Sequence, residues 1–200
     1  MRVIAGTWRG RRLVAPKGLE TRPSASRLRE AMFSALGDSI VGRGVADLFA
    51  GSGALGIESL SRGARHVTFV ERQRSALTVI ERNLVTLGAD AAGYRLLRLD
   101  AWEWLDRLDA GRDPAVDVVL ADPPYDADAA ARLLPRAAGW VQSGLLDTFA
   151  LEHPAAAAAG VDVDDDALRV RTRRHGRGAF TIVEARVPRP RSGQTQERPA

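Results

Sequence analysis

Two hundred residues, 45% of them apolar, suit one domain built on a single core. The lack of cysteine excludes a disulfide framework and thiolate chemistry, and no apolar run is long enough to span a bilayer. Net charge is only +4 but unevenly placed: residues 1–29 carry eight basic side chains against Glu20 alone, and residues 169–191 eight arginines against Glu184 alone.

Two basic ends around a more neutral middle, which holds most of the acids including Asp162, Asp164, Asp165 and Asp166, point to a surface that docks a polyanion. The opening Met1 to Gly6 lacks the apolar stretch of a signal peptide, so a cytoplasmic protein is expected.

Arg2 to Gly6 and Arg11 to Ala15 read as two short strands around Thr7-Trp8-Arg9-Gly10. Such a hairpin is too small to stand alone and must dock on the rest of the chain. Thr21-Arg22-Pro23-Ser24 leads into a helix whose expected N-cap is Ser24 or Ser26. Leu28, Met32 and Leu36 share one face of it, while Arg27, Arg29 and Glu30 point elsewhere, and Gly37 or Gly42 closes the region.

From Gly44 onward strand and helix alternate, the pattern of a parallel sheet with crossover helices. Strands are expected near 45–50, 66–70, 94–99, 116–121 and 147–152, and helices near 54–63, 73–87, 101–109 and 127–138. Residues 168–173 and 179–187 read as a closing antiparallel pair, and 188–200 as a disordered polar tail.

The chemistry gathers at predicted strand ends. Asp47-Leu48-Phe49-Ala50-Gly51-Ser52-Gly53-Ala54-Leu55-Gly56 closes the first strand and opens a helix, with glycines that permit a tight turn and close approach of backbone N–H groups to a ligand. Glu71 ends the second strand, where a carboxylate can accept both hydroxyls of a ribose.

Asp47 could hold an ammonium group but would repel a pyrophosphate, which favours S-adenosylmethionine over a nicotinamide cofactor. Asp100-Ala101, after the third strand, places an acceptor near an adenine amine, although Asp100 also fits a helix N-cap. The fourth strand runs into Asp122-Pro123-Pro124-Tyr125, and two prolines force the chain out of the sheet in a stiff turn. There Asp122 and the Pro123 carbonyl can grip an exocyclic amine and Tyr125 can stack on the base. A plain proline-rich turn is the alternative.

Glu152-His153 reads as following the fifth strand, where it could line the site, although a strand-end role is favoured. His66, His153 and His175 fit no ligand spacing, and no metal is expected. Of Trp102 and Trp104 only one can face the core.

Over Arg2 to about Val187 the chain resembles the bacterial 16S rRNA guanine-N2 methyltransferases of the RsmD type. The matching stretches are Arg2 to Gly6, Trp8-Arg9-Gly10-Arg11, Arg22-Pro23, Arg27-Leu28-Arg29-Glu30, Asp47 to Gly56, Leu60 to Ala64 and Asp122 to Tyr125. The resemblance implies an α/β, Rossmann-like class I S-adenosylmethionine-dependent methyltransferase. Its seven-stranded, mostly parallel sheet would have an antiparallel C-terminal strand, with a small basic hairpin and helix in front. Residues 1–43 would then be an rRNA-contacting extension, 44–187 the methyltransferase domain and 188–200 the tail.

Asp47, Phe49, Ala50, Gly51, Gly53, Glu71, Arg72, Asp100, Ala101 and Asp122 would hold the cofactor. Asp122, Pro123, Pro124 and Tyr125 would carry catalysis. Arg9, Arg11, Arg12, Arg22, Arg27, Arg29, Arg173 and Arg174 would meet RNA. The substrate would be one guanine in a hairpin loop of the small-subunit head, in the 30S subunit or a late assembly intermediate, and the enzyme a monomer. Two departures touch RNA contacts: Arg173-Arg174-His175-Gly176 has no Tyr before its glycine, and Ser24-Ala25 replaces a Thr pair. The rivals are a DNA adenine-N6 or cytosine-N4 methyltransferase, an NAD-dependent oxidoreductase and a non-catalytic RNA-binding or assembly factor.

Overall fold

Short runs, largely buried except in the edge strand β3, form the parallel part of one sheet: β1 (Gly44–Leu48), β2 (His66–Val70), β3 (Tyr94–Leu97), β4 (Val118–Ala121) and β5 (Thr148–Pro154). The computed structural model describes residues 1–16, 23–112, 116–124, 127–158 and 167–186. A hairpin of β6 (Leu168–His175) and β7 (Gly178–Ala185) adds the antiparallel edge, giving the order β3-β2-β1-β4-β5-β7-β6. The seven strands and their mixed sense match the expected architecture.

After β1 the chain winds outward to β2 and β3, then returns past β1 to β4 and β5. The reversal lies between β1 and β4, and open α/β sheets bind ligands at the carboxyl ends of strands at such a point.

Two cores cover the two faces of the sheet. One joins α1 (Pro23–Leu36), α2 (Ala54–Ser61) and α3 (Arg74–Leu87) to Val45, Phe69, Leu120, Ala150 and Phe180. The other joins α4 (Ala101–Asp109) and α5 (Ala127–Ser143) to Leu48, Val70, Ala121 and Leu151. No helix among the described residues is long and apolar enough to cross a membrane.

Several boundaries differ from expectation. The N-terminal segment is not a two-stranded hairpin; it makes a single bridge, Arg2 to Arg12, closed by turn bonds such as Val3 N–H to Arg11 O at 3.0 Å. Its backbone is spent elsewhere. Ile4 and Ala5 donate to the Glu58 carboxylate at 2.8 and 3.0 Å, Trp8 to Ser61 Oγ at 3.0 Å, and Val14 exchanges bonds with Asn83. The expected docking therefore occurs, onto α2 and α3.

Helix α1 begins at Pro23, so Ser24 and Ser26 lie in its first turn rather than at its cap; proline suits that first position because its missing N–H has no intrahelical partner there. Helix α5 runs beyond residue 138 to Ser143 despite Pro135, because Leu133, Leu134, Ala137, Trp140 and Val141 continue its buried stripe. Strand β5 reaches Pro154, which puts Glu152 and His153 inside the strand rather than after it, paired with Phe180 and Ala179 of β7.

Candidate active site

The loop from Phe49 to Gly53 turns sharply out of β1, with Phe49, Gly51 and Gly53 all at positive φ. It is pinned from β2: Gly51 N–H donates to Glu71 Oε2 at 3.0 Å, and Gln73 N–H donates to Glu71 Oε1 at 2.8 Å. Each carboxylate oxygen keeps a further lone pair for a ligand. Gly56, in the first turn of α2, must be glycine because a Cβ would lie 2.3 Å from the Phe69 ring; helix and strand pack too closely for a side chain.

Asp47 is fully buried within β1 and accepts Gly56 N–H at 2.8 Å. Burial raises its pKa well above the ordinary carboxylate value, and the Asp122 and Glu71 carboxyls add to that against the Gly56 bond. An acid so placed is relieved by a cation, which fits a ligand ammonium group.

Asp100 caps α4, its Oδ1 accepting Trp102 N–H at 2.9 Å, while its Oδ2 stands 4.0 Å from the exposed Arg72 guanidinium. The N-cap alternative is thus realised, and one oxygen stays free of it. Ala101 is buried behind the cap. Trp104 is the core tryptophan; Trp102 packs edge-on against Phe49 at 5.9 Å and beneath the Arg132 guanidinium at 3.9 Å.

Asp122 follows β4 directly. It is exposed at the mouth of the crevice while protein crowds its carboxyl on the other sides, and that crowding raises its pKa to about 6. Pro123 is buried and Pro124 exposed, as expected of a stiff exit turn. Tyr125, Arg22 and the 188–200 tail lie outside the described residues.

Strand alternation brings Asp47, Glu71 and Asp122 to the face covered by α1, α2 and α3. A fourth acid joins them. Glu152 occupies the same face of β5, where burial and then Asp122 raise its pKa to about 8, with Arg29 pulling it down. The sequence allowed Glu152 to line the site but favoured a strand-end role; placing it in the row required the order β1-β4-β5. His153, on the opposite face, belongs to a buried network with Thr181 and Thr172.

The predicted RNA contacts separate into two groups and one exception. Arg9, Arg11, Arg12 and Arg27 are exposed; Arg12 and Arg27 line a cleft of about 620 Å³ between the N-terminal segment and α1, whereas Arg11 donates to the Thr86 carbonyl of α3 at 2.8 Å. Arg173 and Arg174 are exposed near the β6–β7 turn, which lies at the carboxyl end of β5 because Pro154 pairs with Gly178. Arg29 is the correction: it is buried, donates to the Arg2 carbonyl at 2.8 Å and touches the Met1 sulfur, so it ties the N-terminal segment to α1 instead of facing solvent.

A family profile described as conserved hypothetical protein 95 matches residues 1–182. The rRNA methyltransferase candidate YlbH of Bacillus subtilis (strain 168) is 41% identical over 125 residues, 62% of this chain and 67% of its own. Ribosomal RNA small subunit methyltransferase D of Escherichia coli (strain K12) is 39% identical over 125 residues, 62% of this chain and 60% of its own. The chain thus spans 60–67% of the length of these curated relatives. Among solved structures, the methyltransferase candidate yhhF of Escherichia coli superposes with a TM-score of 0.72 at 30% identity, covering 92% of this chain and 97% of that one.

Proposed function

The chain belongs to the RsmD-type family, that of conserved hypothetical protein 95, and on that premise we propose that it transfers a methyl group from S-adenosylmethionine to the exocyclic N2 of a guanine in 16S rRNA. The observation that carries the reading is the row of Glu71, Asp47 and Asp122 on one sheet face at the topological switch point, beside a stiff Asp122-Pro123-Pro124 exit. Two relatives are named as rRNA methyltransferases, which supports the substrate class.

When bound, S-adenosylmethionine supplies a methyl group activated on a sulfonium. Asp47 would hold its ammonium group and Glu71 its ribose hydroxyls, with the backbone of Phe49, Ala50, Gly51 and Gly53 beside them. Arg72, Asp100 and Ala101 border the adenine. On the substrate side, Asp122 and the Pro123 carbonyl accept the two amine hydrogens and turn the nitrogen lone pair out of conjugation with the ring. The proton released as the N–C bond forms moves to Asp122, which is ionised above about pH 6. Tyr125 stacks on the base after it leaves its loop.

Residues 1–43 form the RNA-contacting extension of a methyltransferase domain that runs to residue 187. Arg9, Arg11, Arg12, Arg22 and Arg27 meet phosphates on one side, and Arg173 and Arg174 on the other. The partner is the 30S subunit or a late assembly intermediate in the cytoplasm, and the enzyme acts as a monomer.

The test is transfer of labelled methyl to 30S subunits lacking the modification, to naked 16S rRNA and to duplex DNA, with nuclease digestion to identify the product. N2-methylguanine on the particle is the expected result. Label in DNA, or none on any RNA, overturns the substrate.

A further inference from the structure

Glu152 is an acid that the mechanism above leaves unused. It is nine-tenths buried in β5, on the face that carries Asp47 and Asp122. Strands β4 and β5 run parallel with Ala121 beside Leu151, so continuing the register sets Asp122 beside Glu152. Its partner on β7 is the uncharged Phe180. From α1 comes Arg29, whose Nε is buried without a hydrogen-bond partner because its other nitrogens turn to Met1 and Arg2.

Neither the Asp122 nor the Glu152 carboxyl meets a hydrogen-bond donor among the described residues. Burial raises both acids and two adjacent carboxylates oppose double ionisation, so the pair shares one proton at neutral pH; Glu152, enclosed in β5 while Asp122 reaches solvent, is the better-shielded place for it.

A neutral carboxyl offers an O–H donor and a carbonyl acceptor side by side. Guanine offers the complement beside its N2 amine: an N1–H donor and an O6 acceptor. We infer that Glu152 reads the N1–H/O6 edge of the guanine whose amine Asp122 and Pro123 hold, donating to O6 and accepting from N1–H. N2 and O6 stand at opposite ends of that edge, a separation comparable with the ~4.8 Å between neighbouring strands, so a base clamped at β4 reaches β5 with its other end. Arg29 is a positioning residue in this arrangement, a charge that moderates Glu152 without touching the base. The inference rests on the guanine-N2 reading above.

The test compares wild type, Glu152→Gln and Glu152→Ala on 30S subunits reconstituted with guanine or 2-aminopurine at the methylated position, between pH 6 and 9. 2-Aminopurine keeps the N2 amine but lacks both N1–H and O6. Glu152→Gln retains a donor and an acceptor, so it should keep kcat/KM within about threefold at pH 7 and lose the fall near pH 8 that wild type shows on guanine. Glu152→Ala should lose about 10- to 100-fold on guanine, mostly in KM, and stay within about threefold on 2-aminopurine.

Equal losses of Glu152→Ala on both bases, or a fall near pH 8 that survives in Glu152→Gln, would overturn the inference while the guanine-N2 reading stands. Wild type that places no methyl on guanine N2 overturns both.

Discussion

The two faces of the sheet differ most where the strands end. Toward α1, α2 and α3 the ends carry Asp47, Glu71, Asp122 and Glu152; one residue away, toward α4 and α5, they carry Leu48, Val70, Ala121 and Leu151, each fully buried. A strand turns successive side chains to opposite faces, so each end serves as chemistry on one side and packing on the other.

The acidic face is also the less self-sufficient. Backbone N–H groups answer Asp47 and Glu71, Arg29 partly offsets Glu152, and Asp122 waits on the crevice. Asp47, Asp122 and Glu152 are raised by burial, and under the proposed function a cation and base N–H groups would relieve them.

Breaking the acidic face should cost turnover without stability. Asp122→Ala is expected to lower kcat by about 10²- to 10⁴-fold. Because ionised Asp122 is disfavoured in the fold, the variant should melt no lower than wild type at pH 7; a lowered Tm would show that the residue holds structure instead. Breaking the apolar face should do the reverse. Phe149, fully buried against Trp140, should cost about 3–5 kcal/mol when replaced by alanine, read by urea unfolding, with kcat of the folded fraction little changed.

A third comparison uses pH. An acid whose folded pKa lies above its unfolded value stabilises the fold fully only below the unfolded pKa. For Glu152 that contribution is lost as pH rises from about 4.5 to about 8. Glu152→Gln removes the loss, so the ligand-free variant should gain stability over wild type near pH 8, on the order of 2 kcal/mol. Equal pH dependence in both proteins would place the raised acid elsewhere. The smallest effect belongs to the N-terminal extension: Arg27→Glu in α1 should raise the RNA KM about tenfold, weaken its salt dependence by about one counterion and leave cofactor affinity unchanged.

Much of this was legible in the chain. Strand–helix alternation from Gly44, glycines after Asp47, an acid at Glu71 and prolines after Asp122 are local signals, each set by backbone sterics or by the period of buried residues. Asp100 was legible only as two alternatives, since a cap and a ligand acceptor ask for the same residue type. Arg29 was misread because helical periodicity at 27–30 does not reveal that the N-terminal segment folds back over that turn. The two N-terminal strands failed for a related reason: Glu58, Ser61 and Asn83, more than fifty residues away, compete for the same backbone groups and win.

By itself the sequence determined the strand–helix alternation of an α/β fold, the closing antiparallel pair and three members of the acidic row, because those follow from period, turn chemistry and charge within a few residues. Only the tertiary structure decided that Glu152 stands beside Asp122 and that Arg29 leaves solvent to act on Glu152. Both facts depend on which strands become neighbours and which segment covers a helix, and contacts across such distances leave no local trace in the chain.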